Sequence, residues 1–232
     1  KFVDTYYMGV GTNILGYSHP EVDEAVRNVI SLGNMSTLNA PEEVWLAERL
    51  LEINPWAGGV RFARSGGEAN AIAVRIARAM SGKEGVAVCG YHGWHDWYLS
   101  ANLGADDSLA GHLLPGLSTA GVPPSLRGVV HPFDYNDFEN LVQLVTTKNI
   151  GVVKMEVMRT VEPADNFLSK VRQLCDEHGI VLVFDECTSG FRETFGGLHI
   201  KYGVQPDVAV FGKTLGNGYA VSAVVGRSEV MQ

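Results

Sequence analysis

Lys213 stands directly behind the apolar run "DVAVFG" and ahead of the glycine-rich turn "LGNGYA". A lysine so placed can grip phosphate in a nucleotide loop, carry a solvated charge at a strand end, or act as a nucleophile. In open α/β sheets, ligands sit beyond the carboxyl ends of the strands, so the polar residues just after apolar runs are the ones to inspect. Four such ends stand out: Tyr91-His92 after "GVAVCG", Glu156 in "VVKME", Asp185-Glu186 after "IVLVF", and Lys213. A strand buried on both faces tolerates an unpaired charge at its end only where a site needs it.

A Walker loop requires G-x-x-x-x-G-K-[ST], and "DVAVFGKT" puts Asp207 where the first glycine belongs, with strand-like residues in place of a cradle of amides. Without that loop, a magnesium-binding reading of Asp185-Glu186 has no partner. A lysine of lowered pKa forms a Schiff base with a carbonyl, and in pyridoxal phosphate enzymes it works with an Asp at the pyridinium nitrogen. Asp185 fits that role by placement. Ser65-Gly66-Gly67 opens a helix and offers backbone amides to a phosphate, and Tyr91 offers a face for ring stacking. Plainer readings stand beside these: a surface lysine, a Ser65-x-x-Glu68 capping box and nothing more, and a loop cluster of His92, His95 and Asp96 for a metal.

The elements that must position these residues are legible in outline. "PEVDEAVRNVISLG" reads as a helix with Val22, Val26, Val29 and Ile30 on one face. "PEEVWLAERLLEI" reads as a second, opened by Pro41 and stopped at Pro55. After the Ser65-x-x-Glu68 box, Ala69, Ile72, Ala73, Ile76 and Met80 recur at helical spacing until Gly82. "GVAVCGY", "VVKMEV", "IVLVFDE", "DVAVFG" and "AVSAVVG" read as strands, with a helix over "FLSKVRQLCDEHG". Near-continuous Val, Ile and Phe in strands that alternate with helices predict an α/β fold with a mostly parallel sheet covered on both faces. Residues 93–128 form a connection longer than usual, which suggests a functional loop or a short helix within it. The expected division is an N-terminal helical segment, 1–54, and a major domain, 55–232.

With 232 residues, 46% hydrophobic and 19% charged, the composition is that of an ordinary globular protein, and the net charge of -8 excludes the basic footprint of a nucleic-acid binder. Cys89, Cys175 and Cys187 have neither disulfide nor zinc spacing, which suggests a reducing, cytoplasmic setting. No run reaches the roughly 18 apolar residues of a membrane span, and "KFVDTYYMGV" lacks signal-peptide form.

The blocks "ARSGGEANAIAVRIARAMSG", "GYHGWHD", "KMEVMRTVEPADNFL" and "VFDECTSGFRETFGGLHIKYGVQPDVAVFGKTLGNGYAVSAVVG" resemble, in order, those of class III pyridoxal phosphate-dependent aminotransferases, especially the glutamate-1-semialdehyde aminomutase-like branch. The resemblance implies a fold-type I, three-layer α/β/α domain, with the family's C-terminal small domain lying beyond Gln232. It implies that Lys213 forms the Schiff base and carries the proton, and that Asp185 pairs with the ring nitrogen of pyridoxal 5'-phosphate. Ser65, Gly66 and Gly67 would hold the phosphate. Tyr91 would stack on the ring with His92 beside it, Cys187 would press on the opposite face, and Glu156 would lie near the ring oxygen, with Val157 where the family has proline. The implied partners are a small-molecule amino donor, a carbonyl acceptor and a second copy in a homodimer. The alternatives are intramolecular amino transfer and a non-catalytic cofactor-binding module.

Overall fold

The computed structural model describes residues 2–34, 37–104, 108–112 and 116–232. The apolar runs become seven strands of one sheet: β1 (Gly59–Ala63), β2 (Gly85–Cys89), β3 (Val130–Pro132), β4 (Ile150–Glu156), β5 (Val181–Asp185), β6 (Val208–Phe211) and β7 (Ser222–Gly226), in the order β1-β7-β6-β5-β4-β2-β3. Strands β3, β2, β4, β5 and β6 are parallel, whereas β7 runs antiparallel to both β6 and β1. Glu156 pairs in register with Asp185, and Asp185 with Val210, so the carboxyl ends of three parallel strands line up at one edge of the sheet.

The strand alternation sorts the core into layers, because successive side chains point to opposite faces. Val86, Val88, Val152, Val183, Val208 and Val210 face the helix Gly66–Ser81, whose Ala69, Ala73 and Ala77 let it lie close to the sheet. Ala87, Cys89, Val153, Met155, Leu182 and Phe184 point the other way, onto helices Phe138–Thr147 and Phe167–His178. Farther along that second face, Leu50 of the helix Pro41–Ile53 meets Ala209, Phe211, Ala223 and Val225.

Two details add to the sequence reading. The long connection 93–128 carries a short helix, Asp96–Leu99, and single 3-10 turns, and it delivers strand β3, which the sequence reading passed over. The apolar stripe of the helix Pro20–Leu32 covers no core: it has no fully buried residue, and Ile30 is 62% exposed.

Candidate active site

Asp185 closes β5 and is 2% exposed. Its Oδ1 accepts from the Cys187 amide at 3.0 Å, while Oδ2 accepts from Asn70 Nδ2 and His92 Nδ1, both at 2.8 Å. Lys154 Nζ lies 3.9 Å from Oδ2. Burial alone would raise this carboxyl's pKa, but the Lys154 charge and the His92 hydrogen bond outweigh it and hold the group well below the usual carboxylate range. Asp185 is therefore a fixed, dry anion.

His92 is fully buried, behind Asp185 and away from the open cleft. Burial drives its pKa down to about 4 against the pull of Asp185, so the ring is neutral at physiological pH. Its other nitrogen lies 3.1 Å from the Cys89 carbonyl, which fixes the ring plane.

Lys213 follows β6 with φ of 46°, a left-handed backbone that is unusual for a side chain of this size. The following turn Lys213–Gly216 is held down by Thr214 Oγ1, which donates to the Gly190 carbonyl at 2.7 Å. Lys213 Nζ donates to Thr188 Oγ1 at 2.8 Å, and partial burial lowers its pKa, the direction a nucleophilic amine requires.

The opposite wall is bare backbone. Ser65 caps the helix Gly66–Ser81, its Oγ accepting from the Glu68 amide at 3.3 Å, while Glu68 accepts from the Arg64 and Ser65 amides at 2.9 Å. The capping reading of Ser65 is thus realised. A Cβ on Gly67 would come within 2.9 Å of the His95 ring, and one on Gly66 within 3.2 Å of Cys187 Sγ. Gly93, at φ +94°, brings its backbone against Gly67. Ser222 Oγ ties this corner to β7 by donating to the Ser65 carbonyl at 2.9 Å.

Seven of the nine residues singled out in the sequence, Ser65, Gly66, Gly67, Tyr91, Asp185, Cys187 and Lys213, line one open cleft, together with Asn70, Gly93, Trp94, His95 and Thr188. Tyr91 meets Tyr98 edge-to-face at 6.1 Å. Cys187 is a buried thiol whose pKa burial pushes well up, so it stays protonated. Glu156 and His92 stand outside this lining. The Glu156 carboxylate accepts from the Tyr91 amide at 3.2 Å and pairs with Arg159 at 2.8 Å, lining a neighbouring cavity with His112 and Asp134. Burial raises its pKa to about 7, with Arg159 opposing.

Sequence reasoning missed Asn70, Thr188 and Lys154. Asn70 lies three residues after Gly67 on the same helix, and Lys154 is a lone charge inside an apolar strand, so both left a signal. Thr188 left none.

Comparison with known proteins places this geometry. The family model described as Aminotransferase class-III matches residues 1–232. A 3-aminobutyryl-CoA aminotransferase from Cloacimonas acidaminovorans (strain Evry) is 32% identical over 241 residues, covering 100% of this chain and 54% of that protein. A glutamate-1-semialdehyde 2,1-aminomutase from Nitratidesulfovibrio vulgaris (strain DP4) is 36% identical over 230 residues, covering 96% and 53%. The crystal structure of an omega-transaminase from Sphaerobacter thermophilus superposes with a TM-score of 0.85 at 30% identity, over 97% of this chain and 53% of its own. A transaminase with PLP bound gives a TM-score of 0.84 at 29% identity, over 97% and 54%. The chain thus spans about half the length of the relatives it matches.

The cofactor of this fold, pyridoxal phosphate, suits the residues present. One wall is a glycine-lined helix start that added Cβ atoms would fill, the floor holds an anion ready for a cationic ring nitrogen, and a lysine amine stands across from both. With match, fold and cleft in agreement, the chain belongs to the class III aminotransferases, pyridoxal phosphate-dependent enzymes of fold type I.

Proposed function

We propose that this chain carries the cofactor site of an enzyme that moves an amino group from a small amino donor to a carbonyl acceptor, with Lys213 as the reacting amine. The observation that carries the reading is the meeting of Lys213 Nζ, the Asp185 carboxylate and the bare amides of Gly66 and Gly67 in one cleft. When bound, pyridoxal phosphate supplies a carbonyl to receive the amino group and a ring to store the electron pair released at the substrate carbon.

The chain's own residues supply the rest. The amides at the start of helix Gly66–Ser81 receive the phosphate, where the helix dipole favours an anion. Asp185, ionised and braced by His92 and Asn70, holds a proton on the ring nitrogen in front of it. Tyr91 and Cys187, both in the lining of the cleft, would pack against the cofactor ring. Lys213 Nζ, with its pKa lowered by burial, would hold the cofactor at its carbonyl carbon and would serve as the base for the proton on the substrate's α-carbon. Thr188 orients that amine between the two duties. The expected assembly is a homodimer.

Intramolecular transfer on an amino aldehyde is the second reading, favoured by the 36% identity to an aminomutase. Turnover that requires no separate carbonyl acceptor would select it.

The test is the absorption spectrum of the chain with added pyridoxal phosphate, followed by borohydride reduction and peptide mapping, with Lys213→Ala as control. A yellow species fixed on Lys213 and lost in the variant supports the reading. An adduct on other lysines, or none, overturns it.

A further inference from the structure

Strand β4 carries one positive charge among Ile, Val and Met. Lys154 is fully buried, and it sits in register beside Val88 of β2 and Val183 of β5, on the face of the sheet whose valines pack against helix Gly66–Ser81. Among the described residues its Nζ has no hydrogen-bond partner. A buried ammonium costs several kcal/mol in lost hydration, and replacing such a group by an apolar one of similar size is often neutral or stabilising. Packing alone therefore gives no reason for a lysine here.

Its one ion pair is the reason. Nζ lies 3.9 Å from Asp185 Oδ2, the oxygen that His92 and Asn70 already occupy at 2.8 Å, whereas Oδ1 accepts from the Cys187 amide at 3.0 Å. Two hydrogen bonds and one ion pair thus converge on a single carboxylate oxygen of a residue that lines the cleft. Lys154 does not line that cleft and has no exposed surface, so it touches no ligand there and reaches one only by its charge, across Asp185. The remaining titratable groups that act on it are Cys187, held neutral, and Glu156, already paired with Arg159.

We propose that Lys154 is a positioning residue that shares the Asp185 carboxylate with the cofactor's ring nitrogen and thereby sets how strongly Asp185 holds a proton on that nitrogen. The inference rests on the cofactor reading above. A fixed cation behind the carboxylate weakens its hold on a second cation in front, so this site holds a less basic ring nitrogen than one with an apolar residue at this position. The coupling is reciprocal: a ring cation arriving in front must also make Lys154 easier to deprotonate.

The test uses the full chain loaded with pyridoxal phosphate labelled with 15N in the ring, as wild type and as Lys154→Met. Loss of the rear cation is expected to raise the pKa of the ring nitrogen by about one unit or more, given two charges acting across an effective dielectric of about 20. A role confined to packing would change the melting temperature and leave that midpoint in place. As a second measurement, independent of the variant's folding, the wild-type Lys154 amine is followed by 15N NMR with and without the cofactor, and its midpoint is expected to fall on binding. Unmoved midpoints with the cofactor fixed on Lys213 overturn the inference alone. Absence of any Lys213 adduct in the wild type overturns the cofactor reading and the inference with it.

Discussion

Asn70 Nδ2 donates to Asp185 Oδ2 at 2.8 Å, tying the first turns of the helix Gly66–Ser81 to the end of β5 across 115 residues of sequence. The helix that would receive a phosphate at its start is thereby held at a set distance from the carboxylate that would receive the ring. Asn70→Ala removes this tie and leaves Asp185 short of a donor. The expected cost is about 1–3 kcal/mol of stability, as for other buried groups left unpaired, and roughly tenfold weaker pyridoxal phosphate binding. Thermal melts and cofactor titration check this, and unchanged affinity would contradict it.

Gly67 has no room for a side chain, because an added Cβ would press on the His95 ring at 2.9 Å. Gly67→Ala is expected to preserve the fold, since alanine favours helix over glycine, while displacing His95 and narrowing the cleft. Cofactor affinity should fall tenfold or more with little change in melting temperature. Equal affinity for variant and wild type would remove the steric argument.

Asp185→Ala should destabilise the chain even without any ligand. It strands Lys154 as a buried cation without its counter-ion, a loss of about 3–5 kcal/mol in comparable buried pairs. The double variant Asp185→Ala, Lys154→Met should recover part of that loss, and denaturant unfolding of the four proteins measures the coupling. Strictly additive losses would mean that the pair does not interact.

Glu156 gives a pH dependence with a definite sign. Its folded pKa, raised to about 7 by burial, exceeds the ordinary 4.5, so the folded chain binds this proton more tightly than the unfolded chain. Its contribution is full below the unfolded value and lost as pH rises through about 7. Glu156→Gln cannot ionise and escapes that loss, so melting temperatures should shift in the variant's favour as pH rises from about 5 to about 8. Parallel pH profiles would refute the assignment.

The sequence made the cleft's lining legible wherever the backbone itself had a reason to be unusual. Ser65, Gly66 and Gly67 combine a helix start with missing side chains, while Asp185 and Lys213 break apolar runs at their carboxyl ends. Thr188 escaped because its role depends on which elements become neighbours, which local pattern does not encode, and Asn70 left only its spacing from Gly67. Lys154 was visible as an oddity, yet only the strand register places it behind Asp185. The helix Phe138–Thr147 was passed over because Val145, Thr146 and Thr147 are weak helix formers; packing of Leu141 and Val145 and the Asp137 cap on the Asn140 amide override that preference. Strand β3, three residues long and containing Pro132, offered too little pattern to read.

Glu186, next to Asp185, turns away from the cleft. Its Oε1 accepts from the His199 backbone amide at 2.9 Å and from His199 Nδ1 at 2.8 Å, and Trp56 Nε1 donates to His199 Nε2 at 3.2 Å. Glu186→Ala would leave these buried donors unpaired and should loosen the segment from Cys187 to His199 that carries Thr188. Faster hydrogen exchange confined to that segment, with the sheet still protected, is the expected result, and uniform protection would contradict it.

The cleft draws its walls from residues 65–70, 91–95, 185–188 and 213. These stretches lie far apart in sequence, His95 and Asp185 being separated by β3, β4 and the helices Phe138–Thr147 and Phe167–His178, so the cleft forms only once the parallel strands have closed their long loops. Formation of the cleft therefore belongs to the last, slowest part of folding. A ligand that fits it binds only chains that have completed the sheet and pulls the folding equilibrium toward them by mass action.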